Sequence, residues 1–259
     1  MKKKFALKKE IENVIIGHNG FIGSELKKFI PKPKCYNSSN IDKLKANNIK
    51  NLFIAAPSAI KFIALKDIQK DLESVKKLIM NINNTNIKKI YLFATIDAVN
   101  FENDFNENSN NDLIFCNSYG IFRGLLEEFC FKNFDTTIIR LPIIFNKNTK
   151  KNFLYDLKYK KYDFLPNPES KLQFYNIDNL KKDLEIIKKK RIKKINLVSE
   201  PIKVKIIYQK YLTKKIKFND KKIIFHNLTS IYAKHWNKKK FLYKKQDILN
   251  DIKNFIQNN

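Results

Sequence analysis

The chain has 259 residues, 43% of them hydrophobic, and a formal net charge of +27. This length suits one domain, or one domain with a small second lobe, and holds core enough to fold without disulfides or metals. The hydrophobic share excludes a disordered chain, and no apolar run approaches the roughly 20 residues that span a bilayer.

The basic N-terminus, "MKKKFALKKE", leads into no long apolar stretch, so no signal peptide is expected. From residue 12 to about 142, short β-branched runs alternate with helical patterns, the signature of a parallel sheet with crossover helices. "NVIIG" reads as the first strand and "FIGSELKKFI" as the helix after it. "KCYN" and "NLFIAA" are the next strands. "IQKDLESVKKLIMNI" repeats apolar residues at helical spacing, with Ile68, Leu72, Val75, Leu78, Ile79 and Ile82 on one side. "IKKIYLFAT" is a buried strand, the polar segment 100–117 a loop, "SYGIFRGLLEEFCFKNF" a helix, and "TTIIRLP" a strand stopped by Pro142. Beyond Pro142 the pattern loosens. "KKNFLYDLKYKK" and "NLKKDLEIIKKK" look helical, "LQFYNI", "INLVS" and "KIIFHN" look like strands, and "KKQDILNDIKNFIQ" closes the chain as a helix.

The charge invites a nucleic-acid reading. Two features oppose it. The basic residues are spread along the whole chain, and only Arg123, Arg140 and Arg191 are arginine, the residue suited to bidentate base contacts. Lys, Asn and Ile are raised together, as AT-rich coding produces. The resulting field still favours an anionic substrate or cofactor. Cys35, Cys116 and Cys130 are an odd set without a close pair, which points to a reducing cytoplasm. His18, His226 and His235 lie far apart, so no metal site is expected.

All five glycines fall in two short stretches. Gly17, Gly20 and Gly23 follow the first strand and open the first helix. A strand turning sharply into a helix whose first amides face a pyrophosphate needs this arrangement. Gly17 permits the turn, Gly20 lets backbone approach phosphate, and Gly23 packs the helix on the sheet. Phe21 and Ile22 lie in the same turn. About twenty residues on, where a carboxylate would bind the ribose of NAD, stand Asn37 and Ser38. Lys34 is near enough in sequence to meet a 2′-phosphate. NAD and NADP both stay open, with a lean to NADP.

Gly120 and Gly124 flank the second constellation. Tyr119 and Arg123 stand four apart on one helix face. A phenol used as an acid or base near neutrality needs a cation beside it, which Arg123 could supply. Against this, Arg123 could merely pair with Glu127. Thr95 ends its strand at the carboxyl edge, where open α/β sheets bind ligands, and its hydroxyl could hold a substrate oxygen. A register one residue later would put Ile96 there instead.

These motifs resemble the extended short-chain dehydrogenase/reductase family, and within it the NAD(P)-dependent nucleotide-sugar epimerases, dehydratases and reductases. "GHNGFIG" is similar to the family's glycine motif, "AAPSA" (Ala55, Ala56, Pro57 and on to Ala59) to its cofactor-lining segment, "FATIDAV" to its Ser/Thr strand end, and "SYGIFRGLLEEF" to its Tyr-x-x-x-Lys helix. "IIRLPIIF", with Leu141 and Pro142, resembles the strand that passes the nicotinamide. The resemblance implies a Rossmann-type doubly wound parallel sheet over residues 1–145, with a smaller α/β substrate lobe over 146–259. It implies an oxidoreductase or epimerase acting on a nucleotide sugar through Thr95, Tyr119 and Arg123. A helix-pair homodimer is common in the family. Arg123 replaces the family's lysine, so a non-catalytic NAD(P)-binding sensor or scaffold is the alternative. Neither specific nucleic-acid binding nor membrane insertion is expected.

Overall fold

The computed structural model describes residues 10–44, 47–57, 61–99, 104–109, 113–163, 165–216, 218 and 221–257. Part of the loop expected at 100–117, and Ala59, lie outside them. In chain order the first half runs β1 (Ile11–Ile16), α1 (Phe21–Lys27), β2 (Lys34–Tyr36), β3 (Asn48–Ile54), α2 (Lys61–Lys66), α3 (Ile68–Asn83), β4 (Asn86–Thr95), α4 (Ser118–Asn133) and β5 (Thr136–Leu141). There follow β6 (Ile143–Phe145), α5 (Phe153–Lys158), β7 (Lys171–Leu172), β8 (Phe174–Asn176), α6 (Leu180–Lys189), β9 (Lys194–Asn196), β10 (Ile202–Lys203), α7 (Val204–Tyr211) and α8 (Lys245–Gln257).

Six strands form one sheet in the order β2-β1-β3-β4-β5-β9. The β1–β2, β1–β3 and β3–β4 pairs are parallel. Parallel strands need crossovers, and the helices between them supply these. The strands carry runs of Ile, Leu, Val and Phe because both faces of such a sheet are covered. The order reverses between β1 and β3, which puts the topological switch point at the carboxyl end of β1, where the glycine turn begins. The architecture is the Rossmann-type doubly wound sheet expected from the sequence.

The chain divides into two compact units. One takes in the chain up to Ala94 with Cys116–Ile139, the other Thr95–Phe115 with the chain from Arg140 onward. The core of the first gathers Val14, Ile16, Leu52, Ile54, Val75, Leu78, Ile82, Ile90, Leu126 and Cys130. That of the second centres on Phe145, Leu154, Phe174, Ile202, Ile207, Ile248 and Ile252.

Three local expectations change. Ile68 is half exposed, and the buried face of α3 is Asp71, Val75, Leu78, Asn81 and Ile82. Two polar residues, Asp71 and Asn81, are thus buried on that face beside Val75, Leu78 and Ile82. "KIIFHN" forms no strand: only Phe225 bridges, to Lys171. Of "INLVS", only its first two residues belong to a strand, β9. Among the described residues, no helix is long and apolar enough to cross a membrane.

Candidate functional site

The turn after β1 obeys its glycines. Gly17 has φ +86°, a left-handed conformation that side chains resist, and a Cβ there would strike the Ala55 carbonyl. A Cβ on Gly23 would strike the Gly17 carbonyl and the His18 backbone. Both are therefore required by the protein's own packing. Gly20 differs. Its φ is an ordinary −76°, and an added Cβ would come only to 3.3 Å from the Gly17 oxygen.

The same turn is tied to its neighbours on either side. The Tyr36 carbonyl, at the end of β2, accepts the Gly17 N–H at 2.8 Å and lies 3.0 Å from His18 Nδ1. The Ala55 N–H donates to the Ile16 carbonyl at 2.9 Å, extending the β1–β3 ladder to the turn. Ala55, Ala56 and Pro57 follow β3 at its carboxyl end, the last joined by a cis peptide. Among the described residues, the backbone N–H groups of His18, Asn19, Phe21 and Ile22 donate to no backbone acceptor. Within five residues at the sheet's switch point, four amide donors thus have no partner among the described residues.

At the end of β2, Asn37 and Ser38 begin a self-contained turn. The Asn37 Oδ1 accepts the Ser39 N–H at 3.0 Å and the Ser39 hydroxyl at 2.6 Å, while the Asn37 N–H donates to Asn40 Oδ1 at 2.7 Å. Lys34 stands at the start of the strand, its ammonium 5.6 Å from the Tyr36 ring. The cation held on the turn itself is Lys77 of α3, which donates to the Ser38 carbonyl at 3.2 Å and sits 3.2 Å from Asp42.

Asn117 caps α4, accepting the Gly120 N–H at 3.0 Å, and so fixes the helix start from which Tyr119 and Arg123 project. Both are buried. The guanidinium carbon of Arg123 lies 4.1 Å from the centre of the Tyr119 ring, within cation–π range. Its nitrogens make a bidentate ion pair with Asp71 of α3, at 2.5 and 2.8 Å. Arg123 is thus ion-paired with Asp71 of a neighbouring helix. Sequence reasoning missed Asp71. The available signal was an acid on the side of α3 that carries Val75, Leu78 and Ile82, where an unpaired charge would be costly.

Thr95 ends β4 and belongs to the second unit. Its Oγ1 accepts the Asp97 N–H and lies 3.2 Å from Asp97 Oδ2, capping the short turn Ile96–Ala98. Ile96 is buried in an apolar cluster with Val99, Phe105, Val198 and Leu228, which leaves Thr95 as the hydroxyl at the strand end. Leu141 at the end of β5 and Pro142 after it are buried in the same unit.

No family model matches the sequence, and no curated protein does. Solved structures match the fold. A UDP-glucose 4-epimerase from Thermotoga maritima superposes with a TM-score of 0.70 at 12% identity, over 95% of this chain and 98% of that one. A UDP-N-acetylglucosamine 4-epimerase from Methanobrevibacter ruminantium gives 0.71 at 13%, over 96% and 98%. A dTDP-glucose 4,6-dehydratase from Streptomyces venezuelae, solved with NAD bound, gives 0.71 at 9%, also over 96% and 98%. The chain shares their fold over nearly its whole length.

Proposed function

We propose that the protein is an NAD(P)-dependent oxidoreductase or epimerase acting on a nucleotide-activated sugar. The observation that carries this reading is Gly20 with its open amides. The fold itself explains Gly17 and Gly23, whereas Gly20 is explained by a ligand whose phosphates come against the backbone. The residues present fit a dinucleotide: a glycine turn at the switch point, flanked by Ala55, Ala56 and Pro57 and by the neutral Asn37–Ser38 turn. The solved structures sharing the fold include proteins named as acting on nucleotide sugars. NADP is the favoured form: neither Asn37 nor Ser38 is a carboxylate, and Lys77, also paired with Asp42, is held on the same turn.

When bound, the nicotinamide supplies the site's hydride chemistry. Within this reading Tyr119 moves the proton of a substrate hydroxyl, Thr95 orients its oxygen, and Arg123 sets the electrostatics of the phenol. Phe21, Ile22, Leu141 and Pro142 line the cofactor.

A thermal-shift titration with NAD⁺, NADH, NADP⁺ and NADPH tests the reading. Ligand at a hundred times its Kd adds about 2.7 kcal/mol of stability. A selective rise in midpoint is expected. No shift with any of the four, in protein free of copurified cofactor, overturns it. The Arg123–Asp71 pair favours a second reading, a non-catalytic NAD(P)-binding sensor or scaffold, because the cation beside Tyr119 is already matched by a carboxylate. Cofactor binding without turnover on any nucleotide sugar would select it.

A further inference from the structure

The second unit holds a cavity of about 470 Å³ whose lining includes Lys171, Lys203, Lys245, His226, Asn227 and Phe225, and no acidic residue. Two of the three lysines, Lys171 and Lys245, stand unpaired among the described residues where a neighbouring positive charge or pole opposes them. Lys171 and Lys203 face one another directly across the β7–β10 pair, and like charges opposed in a ladder destabilise it. Lys203 finds an exposed partner in Glu169 at 2.6 Å. The Lys171 ammonium has no partner among the described residues. Lys245 is the first residue of α8, a helix of 13 residues, and so places a cation at the positive end of the helix dipole. Its N–H donates to Glu200 at 2.8 Å, but its ammonium has no partner among the described residues.

The remaining lining groups complement these charges. The Nδ1 of His226 accepts the Gln173 N–H at 3.2 Å, which leaves the ring proton on Nε2 and makes that nitrogen a donor. Asn227 adds an amide. Phe225, 44% exposed, presents an aromatic surface beside the lysines. Scattered surface lysines keep apart and collect acids. Here three converge on one hollow, two with unmatched ammoniums, and an anion entering it would relieve both the cross-strand repulsion and the dipole mismatch.

We propose that this cavity binds a phosphorylated small molecule, with its phosphate groups held between Lys171, Lys203 and Lys245. The phosphates could belong to a nucleoside diphosphate, as in an activated sugar, or to a free inorganic anion. The experiment separates these sources.

The full chain is titrated calorimetrically with inorganic pyrophosphate and, separately, with UDP, at about 150 mM salt, where long-range attraction is screened. Three variants accompany the wild type: Lys171→Gln/Lys245→Gln, Lys245→Gln alone, and a control, Lys27→Gln/Lys181→Gln, that removes the same charge from exposed positions elsewhere. Pyrophosphate is expected to bind the wild type at one site. The Lys171/Lys245 double variant is expected to weaken binding about tenfold or more, and Lys245→Gln alone by a smaller factor. The control keeps its affinity within about twofold. The site variants lose no thermal stability without ligand, because they remove opposed charges.

If UDP binds much more tightly than pyrophosphate and loses affinity in the same variants, the ligand is a nucleotide. If the two bind alike, the phosphate groups alone are read. The proposal is overturned if the wild type binds neither probe, if the control weakens as much as the site variants, or if binding is indifferent to Lys171 and Lys245. None of these outcomes depends on nicotinamide binding, which the cofactor titration reads separately.

Discussion

Arg123 and Asp71, 52 residues apart in sequence, form a buried bidentate ion pair that joins α4 to α3 beneath the Tyr119 ring. The pair explains why one of the chain's rare arginines stands here. A lysine offers a point charge and cannot match both carboxylate oxygens in one plane. Removing one partner strands the other charge in the interior, at a cost of about 3–5 kcal/mol. Urea unfolding of Asp71→Leu and of Arg123→Met should each show a loss on that scale. The double variant should recover much of it, since an apolar pair leaves nothing unpaired. Equal, additive losses would mean that the two side chains are not coupled.

Arg123→Lys separates the two functional readings. In a tuned catalyst, turnover falls because the ammonium cannot hold both Asp71 and the face of Tyr119. In a protein that has left catalysis, the same substitution restores or leaves unchanged whatever activity exists. Steady-state rates on a panel of nucleotide sugars decide it.

Tyr119→Phe keeps the ring, and with it the contact to Arg123, while removing the hydroxyl. Loss of a positioned acid/base group costs about 10²–10⁴ in rate. Turnover is therefore expected to fall by at least that lower bound, with the cofactor dissociation constant within a few-fold of the wild type. An unchanged kcat would remove Tyr119 from the chemistry.

The three glycines of the first turn should part company under substitution. Gly17→Ala and Gly23→Ala meet backbone and should unfold at visibly lower urea concentration. Gly20→Ala meets only the Gly17 oxygen, at 3.3 Å, so its stability should stay within about 1 kcal/mol of the wild type. Its affinity for the dinucleotide should nonetheless drop sharply. Full affinity in Gly20→Ala would refute close phosphate approach at this position.

Lys77→Ala tests the cofactor's 2′ position. Losing a charge-assisted contact costs about 1.5–3 kcal/mol, so affinity for NADP⁺ should fall roughly tenfold or more, while that for NAD⁺ hardly moves. A parallel fall in both would show that Lys77 shapes the turn without reading the phosphate.

The second unit contains a titrating group of its own. Asp183 is fully buried and accepts bonds from the Tyr175 hydroxyl at 2.7 Å, the Trp236 indole at 2.7 Å and the Tyr243 hydroxyl at 2.5 Å. Burial raises its carboxyl above the usual range, and the three donors offset this only in part. An acid whose folded value is raised holds its proton more tightly in the folded state. Its stabilising share is complete below the unfolded value and is lost as pH climbs through the folded one. The stability gap between wild type and Asp183→Asn should therefore be largest in acid and narrow toward neutrality. A gap that widens with pH would reverse the assignment.

The parts of this molecule legible in the sequence are those fixed by local rules. Buried parallel strands read as β-branched runs, and glycines forced by backbone geometry stand out in a chain that has only five. What escaped depends on partners distant in sequence. Asp71 is an ordinary acid until α4 brings Arg123 to it, and Ile68 falls on the apolar stripe of α3 yet lies half exposed as the first residue of that helix. "KIIFHN" has the residues of a strand but only one bridging neighbour, and β propensity records the fit to a neighbouring strand more than a preference of the chain itself. Lys171, Lys203 and Lys245 were indistinguishable from the chain's general excess of lysine until the fold gathered them.

The indole bonded to Asp183 is also the chain's only tryptophan. Its emission therefore originates in the second unit alone, from a ring bonded to a carboxylate that also accepts two phenol hydroxyls. Heating or denaturant that opens this unit will shift that colour, while the first unit, which holds the glycine turn and no indole, melts unseen in the same trace. Fluorescence set against circular dichroism can thus time the two units separately without a label, and shows which of them a given ligand protects.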